Sequence, residues 1–64
     1  MARYATLKDD IYTWNGNMIP KGTKGRIIDF MFAPLSITYR LIFYEGTGHS
    51  VIEYVNQKYL ECDK

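Results

Sequence analysis

The chain is poor in cysteine, histidine and proline and has no long apolar run, and each scarcity removes a class of protein. Cys62 is the single cysteine, so no intramolecular disulfide holds the fold. His49 and Cys62 fall short of a four-ligand zinc set, and neither C-x-x-C nor H-x-x-x-H spacing occurs. No metal or other cofactor is expected. The apolar stretches are a few residues long, too short to span a bilayer as a helix, so no membrane partner is expected either. The opening Met1-Ala2-Arg3-Tyr4-Ala5-Thr6 lacks the apolar core of a secretory signal, and a lone thiol suits a reducing compartment. The expected location is the cytoplasm. Eight Lys and Arg against seven Asp and Glu give a net charge of +1, which excludes a strong overall pull toward nucleic acid or membrane.

A catalytic constellation is also missing. His49 and Ser50 are adjacent, but neighbouring strand residues point to opposite faces, and a general base needs an orienting partner. Cys62 lies between Glu61 and Asp63, whose charges work against a reactive thiolate. The chain is expected not to be an enzyme.

What is present is a single domain, residues 1–64. A chain of this size buries only about 60% of the surface that its unfolded form exposes. Ordering costs about 1.5 kcal/mol per residue, which apolar burial must nearly offset. The aromatic content of 16% meets that demand, since each large ring buries about 150–250 Å².

The apolar pattern is that of strands. Thr23 to Phe32 follows Ile19-Pro20-Lys21-Gly22 and carries Ile27, Ile28, Phe30, Met31 and Phe32, a run short for a helix and rich in strand formers. Ala33-Pro34-Leu35-Ser36 breaks it. Ile37 to Tyr44 alternates with period two, placing Ile37, Tyr39, Leu41 and Phe43 on the buried face and Arg40 on the other. Glu45-Gly46-Thr47-Gly48 links it to a strand from His49 to Val55. One tight turn then joins a short closing strand, Glu61 to Asp63. Arg3 to Lys8 reads as a first strand, followed by a long hairpin loop to Lys21. The competing reading is a helix through Tyr4, Leu7, Ile11 and Trp14, which would make an α+β fold with an N-terminal helix on a β-meander. Thr6, Tyr12 and Thr13 are weak helix formers, and Asp9-Asp10 has no basic partner four residues on. The strand reading is therefore preferred.

This order of strands, loops and a one-turn helix before the last strand resembles an SH3-like small barrel of bacterial or phage type. Two local stretches carry the resemblance. Ile19-Pro20-Lys21-Gly22-Thr23-Lys24-Gly25-Arg26-Ile27-Ile28 is similar to the proline–glycine, glycine–basic–aliphatic opening of such proteins. Tyr54-Val55-Asn56-Gln57-Lys58-Tyr59-Leu60 is similar to the tyrosine–aliphatic close of SH3 domains. The tryptophan pair that opens the family's third strand is replaced by Ile37-Thr38-Tyr39, and Trp14 lies in the first loop instead. The resemblance implies an all-β, five-stranded SH3-like barrel. It also implies that Tyr59, in the one-turn helix, lines a ligand groove, with Asp9 and Asp10 standing for the acidic first loop.

The expected core is Leu7, Ile27, Phe30, Leu41, Phe43, Val55 and Leu60. Tyr4, Tyr39, Tyr44 and Tyr54 read as packing rings with hydroxyls toward water. Tyr12, Trp14 and Tyr59 are the expected protein-binding anchors, with Asp9 and Asp10 selecting basic neighbours on the partner. Trp14 has two readings, a lid over an undersized core or a displayed anchor. The expected function is a protein-interaction module, an accessory subunit or inhibitor of a larger protein. The alternative is a nucleic-acid binder using Lys21, Lys24, Arg26 and Arg40, where Lys24 and Arg26 share a strand face. Self-association through open sheet edges is a third expectation.

Overall fold

The computed structural model describes residues 3–62. The chain is all-β, with strands β1 (Tyr4–Leu7), β2 (Ile11–Tyr12), β3 (Met18–Ile19), β4 (Lys24–Ala33), β5 (Ser36–Phe43), β6 (Val51–Asn56) and β7 (Leu60–Cys62). A 3-10 helix, Gln57–Tyr59, stands between β6 and β7. Five strands form one antiparallel sheet in the order β6-β5-β4-β1-β7, and β2 and β3 pair as a separate hairpin. The N-terminal segment is thus a strand, and the helix reading of residues 3 to 14 is not taken. The expected closing strand begins at Leu60, and Asp63 lies outside the described residues.

The expected closed barrel is not what forms. Among the described residues β6 and β7 are the two edges of an open ladder. The hairpin β2–β3 instead packs Ile19 and Ile11 against the core that the five strands share.

That core consists of Ala5, Leu7, Ile19, Leu41, Phe43, Val55 and Leu60. The alternation of β5 is as its sequence demands: Leu41 and Phe43 are buried, and Tyr39 packs partly against the same cluster. Ile27 is half-buried beside it. Phe30 departs from expectation and is 52% exposed. The register of β4 on β5 shifts between Ile27, opposite Leu41, and Asp29, opposite Arg40, so Ile28 is an inserted residue. The insertion puts Phe30 opposite Tyr39 and Phe32 opposite Ile37, on a stretch of hairpin that runs past the core.

Gly25 is the position where β4 admits the largest core side chain. A methyl group built there would stand 2.8 Å from Phe43 Cε1 and 2.9 Å from Cδ1. Phe43 is fully buried, so its ring has little room to retreat. The backbone of β1 closes the same region, with Ala5 opposite Gly25 on one side and Cys62 on the other. The Ile27 amide also donates to the Arg3 carbonyl oxygen at 2.8 Å.

The Gly25→Ala variant is accordingly expected to lose about 1–3 kcal/mol of stability by overpacking. That is a large part of the ~3–5 kcal/mol that a core of this size supplies. Urea unfolding followed by circular dichroism measures the loss, and an unchanged midpoint would contradict the packing described.

Candidate functional site

The long first loop is built as a hairpin that lifts its aromatic residues off the sheet. Ile11 pairs with Ile19 and Tyr12 with Met18, so alternation sends Ile11 and Ile19 to the core and Tyr12 outward. At the tip the Thr13 amide donates to the Asn17 carbonyl oxygen at 2.7 Å, and the Gly16 amide donates to the Thr13 carbonyl oxygen at 3.0 Å. Thr13 is buried, and its hydroxyl donates to Asn15 Oδ1 while accepting the Asn17 amide at 3.2 Å. Gly16, at φ +87, supplies the left-handed conformation that closes the turn. Trp14 is the residue left facing outward, 92% exposed. The lid reading of Trp14 is therefore set aside.

The base of the hairpin is fixed by Asp10, whose Oδ1 accepts the Lys21 backbone amide at 2.7 Å. The Lys8 amide donates to the Tyr59 carbonyl oxygen at 2.8 Å, tying the start of the loop to the 3-10 helix. That helix is capped by Asn56, whose Oδ1 accepts the Lys58 amide at 3.0 Å. Tyr59 is thereby held facing the hairpin, with Lys58 Nζ 5.0 Å from the centre of its ring.

Between hairpin and edge strand β6 runs a groove of about 350 Å³, lined by Asp10, Ile11, Tyr12 and Tyr59 together with residues Glu53 to Asn56. It brings together three of the five side chains expected from the sequence, Asp10, Tyr12 and Tyr59. Trp14 lies in an adjoining groove of about 420 Å³ with Met18, Tyr44, His49 and Ile52. Glu53 borders both grooves and joins them. Asp9 is exposed but lines neither. The acidic and aromatic residues thus form one continuous surface in two parts, with Asp10 and Glu53 as its carboxylates.

Sequence reasoning did not assign Glu53 or Tyr44 to this surface. Glu53 stands opposite Leu41 in register, on the core side of an edge strand, a place where a charge signals an uncovered face. Tyr44 follows β5 at φ 59, the left-handed region that costs a non-glycine residue about 1–3 kcal/mol. Its carbonyl oxygen accepts the Thr47 hydroxyl at 2.7 Å, which fixes the turn. Tyr54, expected to be a packing ring, is exposed on the opposite sheet face, 5.7 Å from the Arg40 guanidinium.

Of the four cations expected to face phosphates, Lys24 and Arg26 share one groove with Tyr4, Tyr44 and Glu45, while Lys21 and Arg40 do not line it. Arg26 makes a paired contact with the Glu45 carboxylate, Nε to Oε1 at 2.8 Å and Nη2 to Oε2 at 2.6 Å. This hydrogen bond holds the Glu45 carboxyl below its ordinary range and raises the Arg26 guanidinium above its own. Lys24 Nζ sits 5.9 Å from the Tyr4 ring centre. Arg40 lies opposite Asp29, and Lys21 is at the base of the first hairpin. The face is one of mixed charge.

The single tryptophan gives a direct check on this geometry. Its fluorescence is expected to match free indole in water and to be fully quenched by acrylamide in the native state. A blue-shifted, protected emission would contradict the outward placement of Trp14. No protein-family model, curated protein or solved structure matches this chain, so its functional reading rests on the side chains described above.

Proposed function

We propose that the chain is an open-sheet relative of the SH3-like small barrels and acts as a non-enzymatic protein-interaction module in the cytoplasm. It binds a larger protein as an accessory subunit or inhibitor. The reading of fold kinship is supported by the order of elements: a first strand, a long loop folded as a hairpin, a three-strand meander, a one-turn helix and a short last strand. The sheet order β6-β5-β4-β1-β7 brings first and last strands side by side, as that layout requires.

The observation that carries the functional reading is the groove between Tyr12 and Tyr59, with Asp10 and Glu53 at its borders. Tyrosine suits such a place because it offers a large apolar face at small cost in side-chain freedom, and its hydroxyl stays wet. Carboxylates beside rings favour a partner segment that carries Lys or Arg, since such a cation meets both charge and ring face. Trp14 extends the contact beyond the first groove and gives the partner a large ring to bury. Asp10 has a double role, because one of its oxygens already holds the Lys21 amide.

Nucleic-acid binding through Lys21, Lys24, Arg26 and Arg40 is the weaker reading. Arg26 is committed to Glu45, and Asp29 stands opposite Arg40, so phosphate would have to displace or tolerate local carboxylates.

The test is capture from a lysate by the wild-type chain beside Trp14→Ala and Tyr12→Ala/Tyr59→Ala. A protein held by wild type is expected to be lost by about tenfold or more with each variant, as for anchor residues worth ~2 kcal/mol. Equal recovery of the same proteins by all three would contradict the assignment. So would binding that is confined to nucleic acid and falls steeply with salt.

A further inference from the structure

The hairpin of β4 and β5 carries a second surface that uses none of the groove residues. Beyond Ile27, β4 pairs only with β5 among the described residues, since its pairing with β1 covers Lys24 to Arg26. Among the described residues the other edge of residues 30–33 is therefore open. Strand alternation, set by the Ile27 amide donating to Arg3 and shifted by the insertion of Ile28, turns the peptide groups of Phe30 and Phe32 toward this open edge. The Phe30 amide is met there by the Asp29 carboxylate, Oδ1 at 2.8 Å, and not by a strand. Phe30 and Phe32 lie on one face as an edge-to-face pair with ring centres 5.1 Å apart, yet they are 52% and 72% exposed. Arg3, Ile27, Ile37, Tyr39 and Cys62 extend this surface into a shallow cavity of about 320 Å³.

We infer that this edge pairs with the same edge of a second copy of the chain. The occupant is argued from register and area. In a twofold antiparallel pairing, Phe30 of one copy stands opposite Phe32 of the other, and Met31 faces Met31 across the axis. Asp29 then meets Ala33, so no like charges oppose one another. The outward peptide groups of Phe30 and Phe32 bond reciprocally, and the two ring pairs merge into a cluster of four. Registers centred on Phe30 or Phe32 are poorer, because the latter sets Pro34, which has no amide, opposite Phe30. The two rings leave roughly 250 Å² of apolar surface open in each copy. With Met31 and the strand backbone the contact totals on the order of 1,000 Å², the lower bound for a specific interface. The Asp29 carboxylate competes for the Phe30 amide. The dimer is consequently weak and reversible.

Sedimentation equilibrium from micromolar to millimolar concentration is expected to show a monomer–dimer equilibrium, weakened by about tenfold or more in Phe32→Glu. In a Cys62→Ser background, mild oxidation is expected to cross-link Met31→Cys as a dimer, because facing residues of a non-hydrogen-bonded pair lie within disulfide reach. Leu35→Cys, exposed at the hairpin tip, is the control and is expected to cross-link far less. A monomer at every concentration, a dimer indifferent to Phe32→Glu, or equal cross-linking at positions 31 and 35 would each overturn the inference.

Discussion

The fold depends on one aromatic ring resting on bare backbone. Phe43 is fully buried, and its ring edge occupies the space where any other residue at position 25 would carry a Cβ. This contact sets the distance between β4 and β5 at the centre of the sheet, and Ala5 crosses Gly25 from the other side. Small residues at 5 and 25 let three strands close tightly around one large side chain. Leu41, Leu7, Val55 and Leu60 complete the cluster, and Ile19 reaches it from the first hairpin. With no disulfide to share the load, stability rests on this packing.

The same core positions the first hairpin and the groove beside it. Once Ile11 and Ile19 are drawn into the core, alternation forces Tyr12 and Met18 outward, and the turn beyond them displays Trp14. Tyr59 faces that hairpin because Asn56 caps the 3-10 helix and Lys8 bonds to its carbonyl. The groove is thus a consequence of how the hairpin is anchored. At the far end of β4, by contrast, the strand outruns the core, and rings that continue the core face are left uncovered.

The strands themselves were legible in the sequence because period-two alternation is strong in Ile37 to Tyr44 and because Pro34 and the glycine-bearing links punctuate the runs. Six of the seven residues expected in the core are buried or packed against it. Phe30 was misplaced because a bulge leaves no mark in an apolar run: Ile27-Ile28 gives no sign of which isoleucine is inserted. Ile19 escaped notice because it belongs to a strand of two residues, too short to show a period. Asp10 and Tyr59 were readable through the resemblance to SH3 domains, and Tyr12 through the amphipathic character of a ring in the first loop. Glu53 was not, since its place on the core side of an edge strand is a fact of tertiary pairing. The ion pair of Arg26 with Glu45 spans nineteen positions and was equally invisible.

The measurement that bears most directly on the packing at the centre is the proton chemical shift of Gly25 in the native chain. A phenyl ring seated against the α-carbon shifts the Gly25 α-protons strongly upfield and gives nuclear Overhauser contacts to the Phe43 ring protons. Gly25 α-protons at their unstructured positions, without contacts to Phe43, would contradict the seat, and with it the placement of the first hairpin and the groove.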